Sequence, residues 1–254
     1  MGNRKNSPYN TLKIVSLEVT AISYAKALEE VISLATSRQP SYICFANSHM
    51  TVEATTDPGF ARMVNNATLV LPDGIPVKVA MNHLYKVKQE RISGMDFLPD
   101  LMGEANKKKL DVFIFGSTLT VVRALENKLS SFYARVKLAG FIIPPFNKDW
   151  NNQEYVKEIQ QADPHLVLVA LGCPKQEKWM AEYSQQINAV LLGIGGALPV
   201  LAGVKKNAPA WMKKNGLEWL YRLLQEPKRL WKRYLITNSL MLWYLIRQFT
   251  FRNK

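Results

Sequence analysis

Short apolar runs alternate along the chain with stretches in which apolar residues recur every three or four positions. Four of the runs predict buried strands, at residues 42–46, 111–115, 166–171 and 189–192. Three of the intervening stretches have the spacing of an amphipathic helix, at residues 25–36, 121–132 and 175–186. Strands that alternate with helices are typical of a parallel sheet. The pattern therefore predicts an α/β fold with an open, largely parallel, Rossmann-like sheet flanked by helices.

Polar residues and glycines follow each predicted strand. Asn47 and His49 follow the first strand, Gly116 the second, a Gly-Cys-Pro-Lys turn at 172–175 the third, and a Gly-Ile-Gly-Gly turn at 193–196 the fourth. In open parallel sheets, ligands bind beyond the carboxyl ends of the strands. We therefore expect these loops to form one site together.

The composition changes near residue 204, where tryptophan, arginine and lysine become frequent. We predict a catalytic domain at 1–203 and a basic, amphipathic helical appendage at 204–254. Within the appendage, residues 235–251 are strongly apolar but number only about 17, the lower limit for a membrane-spanning helix. Because Asn238, Arg247 and Gln248 interrupt this stretch, it favours a helix that lies in the membrane interface.

The net charge of +13 indicates an acidic partner, such as nucleic acid, an anionic membrane or a phosphorylated substrate. Residues 204–254 hold twelve Lys and Arg against two Glu, so +10 of this charge lies in the appendage. Two cysteines without a Cys-x-x-Cys spacing predict neither a disulfide framework nor a cysteine metal site. The polar first ten residues lack the apolar core of a signal peptide, so we expect a chain that stays in the cytoplasm.

Asp73 lies in the run Leu-Pro-Asp-Gly-Ile-Pro at 71–76, directly after an apolar stretch. An isolated Asp-Gly pair is usually an ordinary turn. Here the two prolines make the turn rigid, and a polar cluster with Arg91 follows. A carboxylate held in position is what a general base requires, so Asp73 is the candidate base.

The turn at 172–175 has the features of a phosphate-binding turn, since a glycine precedes a predicted helix whose first residues are Lys175 and Gln176. The alternative is a helix that simply begins at a proline. The turn at Gly193 and Gly195 lacks the spacing of a dinucleotide-binding fingerprint, and its glycines are interpreted as letting the backbone approach a ligand closely. The three histidines are dispersed along the chain and do not predict a metal site. Cys173 is interpreted as a small residue at a strand end rather than as a nucleophile.

Taken together and in order, the motifs resemble those of the WecG/TagA/CpsF family, glycosyltransferase family 26. They are Asn47 at its strand end, LPDG at 71–74, RISGMD at 91–96, GCPKQEKW at 172–179, GIG at 193–195, AP at 208–209, GLEWLYR at 216–222 and EPKRL at 226–230. The resemblance extends over about residues 15–234. Several motifs in the same order are far more specific than any one of them.

The resemblance implies an inverting, metal-independent enzyme without a cofactor. Its donor would be a UDP-sugar, carrying N-acetylmannosamine, its uronic acid or a hexose, and its acceptor an undecaprenyl-diphosphate-linked sugar used in teichoic acid or other surface polysaccharide assembly. The resemblance makes Asp73 the base and places Asn47, Arg91 and Gln176 around the site. It also implies an appendage that docks on the inner face of the plasma membrane as a peripheral anchor, with Arg222 and Arg229 completing the pocket. Without a metal, Lys175 and these arginines are the cations available to a departing diphosphate.

One departure from the family pattern affects the nucleotide site. Family members usually have Phe-Asp after the Gly-x-Gly turn, whereas this chain has Leu198 and Pro199. Two other functions remain open, a basic α/β protein that binds nucleic acid and an inactive scaffold of the same fold. The apolar stretch at 235–251 argues against nucleic acid, since a membrane would cover it and DNA would not. The sequence leaves open the donor sugar, the acceptor glycan and the oligomeric state, a homo-oligomer included.

Overall fold

The computed structural model describes residues 8–145 and 150–252, and it contains one small and one large sheet. The small sheet is an antiparallel hairpin of β1 (Thr11–Ile14) and β2 (Leu17–Thr20). The strands of the large sheet are β3 (Ser41–Ala46), β4 (Leu69–Pro72), β5 (Val112–Gly116), β6 (Leu138–Ile142), β7 (Leu166–Ala170) and β8 (Val190–Gly193). They lie in the order β4-β3-β8-β7-β5-β6, and every pair of neighbours is parallel. The predicted α/β fold with an open parallel sheet is confirmed.

Twelve α-helices surround the large sheet within the described residues. They are α1 (Tyr24–Thr36), α2 (Ser48–Thr56), α3 (Pro58–Asn65), α4 (Ile75–Tyr85), α5 (Gly94–Lys108), α6 (Leu119–Phe132), α7 (Asn152–Ala162), α8 (Lys175–Tyr183), α9 (Ala197–Leu201), α10 (Ala210–Lys214), α11 (Glu218–Gln225) and α12 (Pro227–Arg252). The three predicted helices correspond to α1, α6 and α8, and α8 continues into a 3₁₀ turn at Ser184–Gln186. The hairpin and the strands β4 and β6 were not among the strands predicted.

Both faces of the large sheet are buried, and the side chains of each strand alternate between two apolar layers. In β3, Ile43 and Phe45 join the layer beneath α1, α5, α6 and α9, whereas Tyr42 and Cys44 join the layer beneath α2, α3, α4, α7 and α8. A sheet covered on both faces offers ligands only its edges and its strand ends. The carboxyl ends of the strands are therefore the place to look for a site.

The C-terminal helices pack against the side of the sheet that carries α2. Met241 and Leu245 of α12 are buried in the same apolar layer as α2. Near the end of α12, Gln248 accepts a hydrogen bond from the Val15 amide (2.9 Å) and donates one to the Lys13 carbonyl (2.8 Å). The appendage is thus joined to the body by packing and by hydrogen bonds, and the division at residues 203 and 204 stays a prediction.

The predicted interfacial stretch 235–251 lies within α12. One side of this helix faces the body, while the other exposes large apolar side chains. These are Trp231, Leu235, Ile236, Leu242, Trp243 and Ile246. Across the described ranges, none of the helices combines the length and the apolar character that crossing a bilayer requires.

The end of β5 yields a test of the fold at a predicted site residue. Gly116 has φ +105°, and a Cβ atom there would lie 2.7 Å from the Ala170 carbonyl oxygen. We expect Gly116→Ala to lower the free energy of unfolding by about 1–3 kcal/mol, measured by urea denaturation, because both the backbone and the neighbouring strand must shift.

Gly103 in α5 is the matched control, since a Cβ atom there would meet nothing within 4 Å. Gly103→Ala should raise the free energy of unfolding by about 0.4–1 kcal/mol, because alanine restricts the unfolded chain and favours the helix. Equal effects of the two substitutions would contradict a steric requirement for glycine at the end of β5.

Candidate functional site

A cavity of about 840 Å³ lies beyond the carboxyl ends of β3, β4, β7 and β8, with α11 and α12 forming its opposite wall. It is large enough for two substrates of moderate size. Eight of the residues predicted from sequence line it, namely Asn47, Asp73, Arg91, Gln176, Gly193, Gly195, Arg222 and Arg229. The structure thus brings together residues from four loops, the end of β8 and the three helices α8, α11 and α12.

Two predicted residues lie outside the lining of this cavity. Gly116 ends β5, and the next residue, Ser117, is the one that reaches the cavity wall. Lys175 is exposed at the start of α8, with its Nζ atom 5.9 Å from the centre of the Trp150 ring. The structure therefore favours other cations for the cavity, and the roles predicted for Gly116 and Lys175 stay predictions.

The pairing of β3 with β4 places Asp73 beside Asn47. The amides of Asp73 and Gly74 both donate to the Ala46 carbonyl, at 2.9 and 3.0 Å. Gly74 packs so closely that a Cβ atom there would lie 3.0 Å from the Asn47 Cα atom. Asn47 in turn caps α2, since its Oδ1 atom accepts a hydrogen bond from the Met50 amide at 3.2 Å. The rigid turn predicted around Asp73 is thus anchored on the neighbouring strand.

The Asp73 carboxylate is half-buried on the cavity wall. Its Oδ1 atom accepts a hydrogen bond from the Gly94 amide (3.3 Å), the first residue of α5. Burial is the main cause that raises the pKa of Asp73 to about 6; Glu218 raises it further, while Arg91 and Arg222 oppose the rise. A carboxylate with this pKa is largely ionised at neutral pH and is a stronger base than an ordinary aspartate.

Gln176 joins two of the loops that line the cavity. Its Oε1 atom accepts from the Gly172 amide, and its Nε2 atom donates to the Gly193 carbonyl, both at 3.0 Å. The Nε2 atom also donates to Glu177 (2.7 Å), a buried carboxyl whose pKa is raised to about 7 by burial. Both ends of the amide are therefore bonded within the protein, which makes Gln176 a residue that positions the two turns.

The glycines of the 193–196 turn are required by packing as much as by any ligand. A Cβ atom at Gly193 would lie 2.7 Å from the Cε atom of Met180, and Gly195 has φ +39°. At Gly196 a Cβ atom would lie 2.6 Å from an Nη atom of Arg222. The turn and the appendage are therefore in direct contact, with Arg222 lying over the backbone.

Two ion pairs join the appendage to the body at the edge of the cavity. Glu218, the first residue of α11, holds Arg91 through an Oε2–Nη2 contact of 2.6 Å, and the two side chains are only 14% and 15% exposed. Lys213 of α10 holds Asp96 at 2.6 Å, and Asp96 lies 3.6 Å from Arg91. Partly buried pairs of this kind are far less screened by salt than surface pairs.

Arginines from α11 and α12 make one wall of the cavity positive. Arg229 is paired with Glu226 through its Nε atom at 2.8 Å. Arg233 also lines the cavity, and its buried Nε atom has no hydrogen-bond partner within the protein. Arg233 was missed by the sequence reasoning, although its position four residues after Arg229 puts both on one face of a helix. With Arg222, these side chains form a site for an anion.

His49 and Cys173 are further titratable residues of the cavity lining. His49 lines the cavity, and its pKa is lowered by burial and then by the charge of Arg233, so it is neutral at pH 7. Burial raises the pKa of the Cys173 thiol, which keeps it protonated, the opposite of what a nucleophile requires. Among the residues that the structure describes, no three His, Cys, Asp or Glu side chains are grouped so that they could hold a metal ion.

Comparison with known proteins extends over almost the whole chain. Residues 12–254 match the model of the glycosyl transferase WecG/TagA/CpsF family. An N-acetylglucosaminyldiphosphoundecaprenol N-acetyl-beta-D-mannosaminyltransferase of Bacillus subtilis is 38% identical over 198 residues, covering 76% of this chain and 74% of the relative. Enzymes of the same name are 32% identical in Bacillus spizizenii, over 91% of this chain and 87% of the relative, and in Staphylococcus aureus, over 74% of each. The chain therefore belongs to the WecG/TagA/CpsF family of glycosyltransferases.

Proposed function

We propose that this glycosyltransferase moves a sugar of the N-acetylmannosamine or hexose type from a UDP-sugar to an undecaprenyl-diphosphate-linked acceptor, with inversion and without a metal. The relatives are named as N-acetylmannosaminyltransferases that act on N-acetylglucosaminyldiphosphoundecaprenol. The observation that carries the proposal is the Asp73 carboxylate, which lies beyond the end of β4 in a cavity whose opposite wall carries arginines. This arrangement suits a reaction in which a proton is accepted on one side and a diphosphate leaves on the other.

In this mechanism Asp73 is the general base. The acceptor hydroxyl attacks the anomeric carbon on the face opposite the diphosphate, its proton passes to a carboxylate oxygen of Asp73, and the bond from the anomeric carbon to the diphosphate oxygen breaks. One displacement inverts the configuration of that carbon. The raised pKa of Asp73 supports this role, because a base close to the working pH accepts a proton readily and is still ionised beforehand.

The leaving diphosphate needs cations from the protein if no metal neutralises it. Arg222 lies against the 193–196 turn, and Arg229 and Arg233 line the same wall from α12. A guanidinium offers several fixed donors to phosphate oxygens, which suits it to this task better than a flexible lysine. We infer that these arginines stabilise the charge that develops on the diphosphate.

In this proposal the nucleobase of the donor binds outside the arginine wall. Pro199 lines the cavity and Leu198 is fully buried, so the position at which the family usually has an aspartate presents no carboxylate. We infer that backbone groups of the neighbouring turns hold the base instead.

The outer face of α12 supports docking on an anionic membrane. Trp231 is 56% exposed and Trp243 52%, and they alternate with exposed cations such as Lys228 and Lys232. Aromatic side chains favour the headgroup region, and cations are attracted to anionic lipids. We propose peripheral attachment to the inner face of the plasma membrane, where a lipid-linked acceptor would reach the cavity.

A direct assay tests the proposed reaction. We expect the full chain to transfer sugar from UDP-N-acetylmannosamine to a short-chain polyprenyl-diphosphate-linked N-acetylglucosamine in the presence of EDTA, since arginines supply the charge that a metal would supply. Nuclear magnetic resonance of the product should show an anomeric configuration opposite to that of the donor. Transfer that stops in EDTA and returns with Mg²⁺ or Mn²⁺ would overturn the metal-free mechanism.

Replacement of the base gives a second test. Asp73→Asn keeps the size of the side chain but removes the basic oxygen, and we expect kcat to fall by about 10² to 10⁴. Asp100→Asn is the matched control, because Asp100 lies outside the cavity lining and accepts a hydrogen bond from the Tyr24 hydroxyl (2.6 Å). It should keep its activity. An Asp73→Asn enzyme within a few-fold of the unmodified chain would remove Asp73 from the mechanism.

The arginine wall can be separated from membrane attachment by three variants. On a water-soluble acceptor, Arg222→Ala and Arg229→Ala should lower kcat by about 10-fold to 100-fold, because the diphosphate loses a donor. Lys232→Ala removes the same charge from outside the cavity lining and should leave kcat unchanged. On anionic liposomes, each substitution should cost only about 1 kcal/mol of binding. If all three variants kept the full rate on the soluble acceptor, the appendage would be an anchor alone.

A further inference from the structure

Glu218 is a partly buried acid of the appendage that the mechanism above does not use. Its contact with Arg91 is the tightest link between α11 and the body, with 2.6 Å between Oε2 and Nη2. Asp96 is the other carboxylate near Arg91, but it lies 3.6 Å away and is itself held by Lys213 at 2.6 Å. Glu218 is therefore the main partner of the Arg91 guanidinium among the described residues.

Arg91 and Glu218 both act on Asp73, and they act in opposite directions. Arg91 favours the ionised form of the carboxylate and Glu218 the protonated form, while Arg222 on α11 adds to the effect of Arg91. The other charged or titratable side chains that line the cavity are His49, Cys173, Glu177, Lys205, Lys206, Glu226, Arg229, Arg233 and Tyr234. Arg91, Glu218 and Asp73 line the same cavity, and the charges of the Arg91–Glu218 pair act on Asp73.

The ion pair with Glu218 limits the interactions that Arg91 can make with other carboxylates. A guanidinium engaged by one carboxylate has fewer donors and less net charge to offer to another. Without Glu218, the same guanidinium would be free to turn to Asp73, since Asp96, the other carboxylate near it, is held by Lys213. An aspartate paired with an arginine is a weak proton acceptor, because the cation stabilises the ionised form that must take up the proton.

We propose that Glu218 is a positioning residue for Asp73: by engaging Arg91, it withholds that guanidinium from the carboxylate and keeps Asp73 able to accept a proton. The catalytic meaning of this inference rests on the proposed role of Asp73 as base. Because Glu218 belongs to α11, the base reaches its full strength only when the appendage is docked on the body. The appendage would then contribute to the chemistry through an acid as well as through its arginines.

Titration of Asp73 in the full chain tests the inference independently of any activity. The protein is labelled with ¹³C at the aspartate carboxyl groups, and the resonance that disappears in Asp73→Asn identifies Asp73. We expect the unmodified chain to titrate near the pKa of about 6. In Glu218→Gln the pKa should fall by about one unit, because Arg91 turns to Asp73. An unchanged or higher pKa would overturn the inference.

Two further variants decide whether the effect passes through Arg91. In an Arg91→Gln background, adding Glu218→Gln should shift the Asp73 pKa far less than it does alone. A shift of equal size in both backgrounds would mean simple repulsion between two carboxylates and would also overturn the proposal. Glu226→Gln removes the same charge from the appendage, from an acid paired with Lys205 and Arg229, and should leave the Asp73 titration in place.

If circular dichroism showed that Glu218→Gln is unfolded, Glu218→Asp would make the same test, since its shorter side chain loses the contact with Arg91.

The pH profile separates this inference from the proposed function. The acid limb of kcat/KM should move down by about one unit in Glu218→Gln, whereas a purely structural defect would lower the rate without moving the limb. A shifted Asp73 titration with an unmoved limb would leave Glu218 as a positioning residue and remove Asp73 as the base.

Discussion

All strands of the large sheet run in the same direction, and this one constraint governs the rest of the molecule. Parallel strands need crossover helices, so both faces of the sheet are covered and buried. Their carboxyl ends then meet along a single edge, where the chain must turn, and the turns carry the polar groups that no covered face could hold. Asn47 and Asp73 are neighbours for this reason, since Ala46 pairs with Pro72 in adjacent strands.

The strand-end loops form one side of the cavity, and the C-terminal helices α11 and α12 enclose it from the opposite side. These helices carry both signs of charge, with arginines along the cavity wall and Glu218 at its edge. Arg91 and Asp96 of the body pair with Glu218 and Lys213 of the appendage, so that partly buried ion pairs hold the two parts together. A pair of this kind is costly to break because it leaves a charge without a partner in a poorly solvated place. The charge around Asp73 is thus set by both parts together.

Several residues that would suit a ligand are engaged in holding the loops. Both ends of the Gln176 amide form hydrogen bonds, one with the 172–175 turn and one with the 193–196 turn. Position 193 requires glycine because the Met180 side chain occupies the space of a Cβ atom. Preorganisation of this sort benefits a transferase, because turns that are fixed before binding do not have to be ordered at the cost of binding energy. The motif at residues 172–179 therefore contributes in part by positioning the loops around the cavity.

The sequence by itself determined the class of fold, and it predicted ten site residues, eight of which line one cavity at the strand ends. These depend on local information, namely the alternation of apolar runs with helical spacing and the polar residues that end each strand. It did not reveal the hairpin, or β4 and β6 at the two edges of the large sheet. In β6 most residues are only partly buried, so the strand lacks the continuous apolar run of the inner strands. Only the tertiary structure showed that Lys175 lies outside the cavity lining, that Arg233 belongs to it, and that Glu218 holds Arg91 across more than 120 positions of the chain. Such contacts depend on how α11 and α12 pack against the sheet, and periodicity along a chain carries no record of the distance between side chains far apart in it.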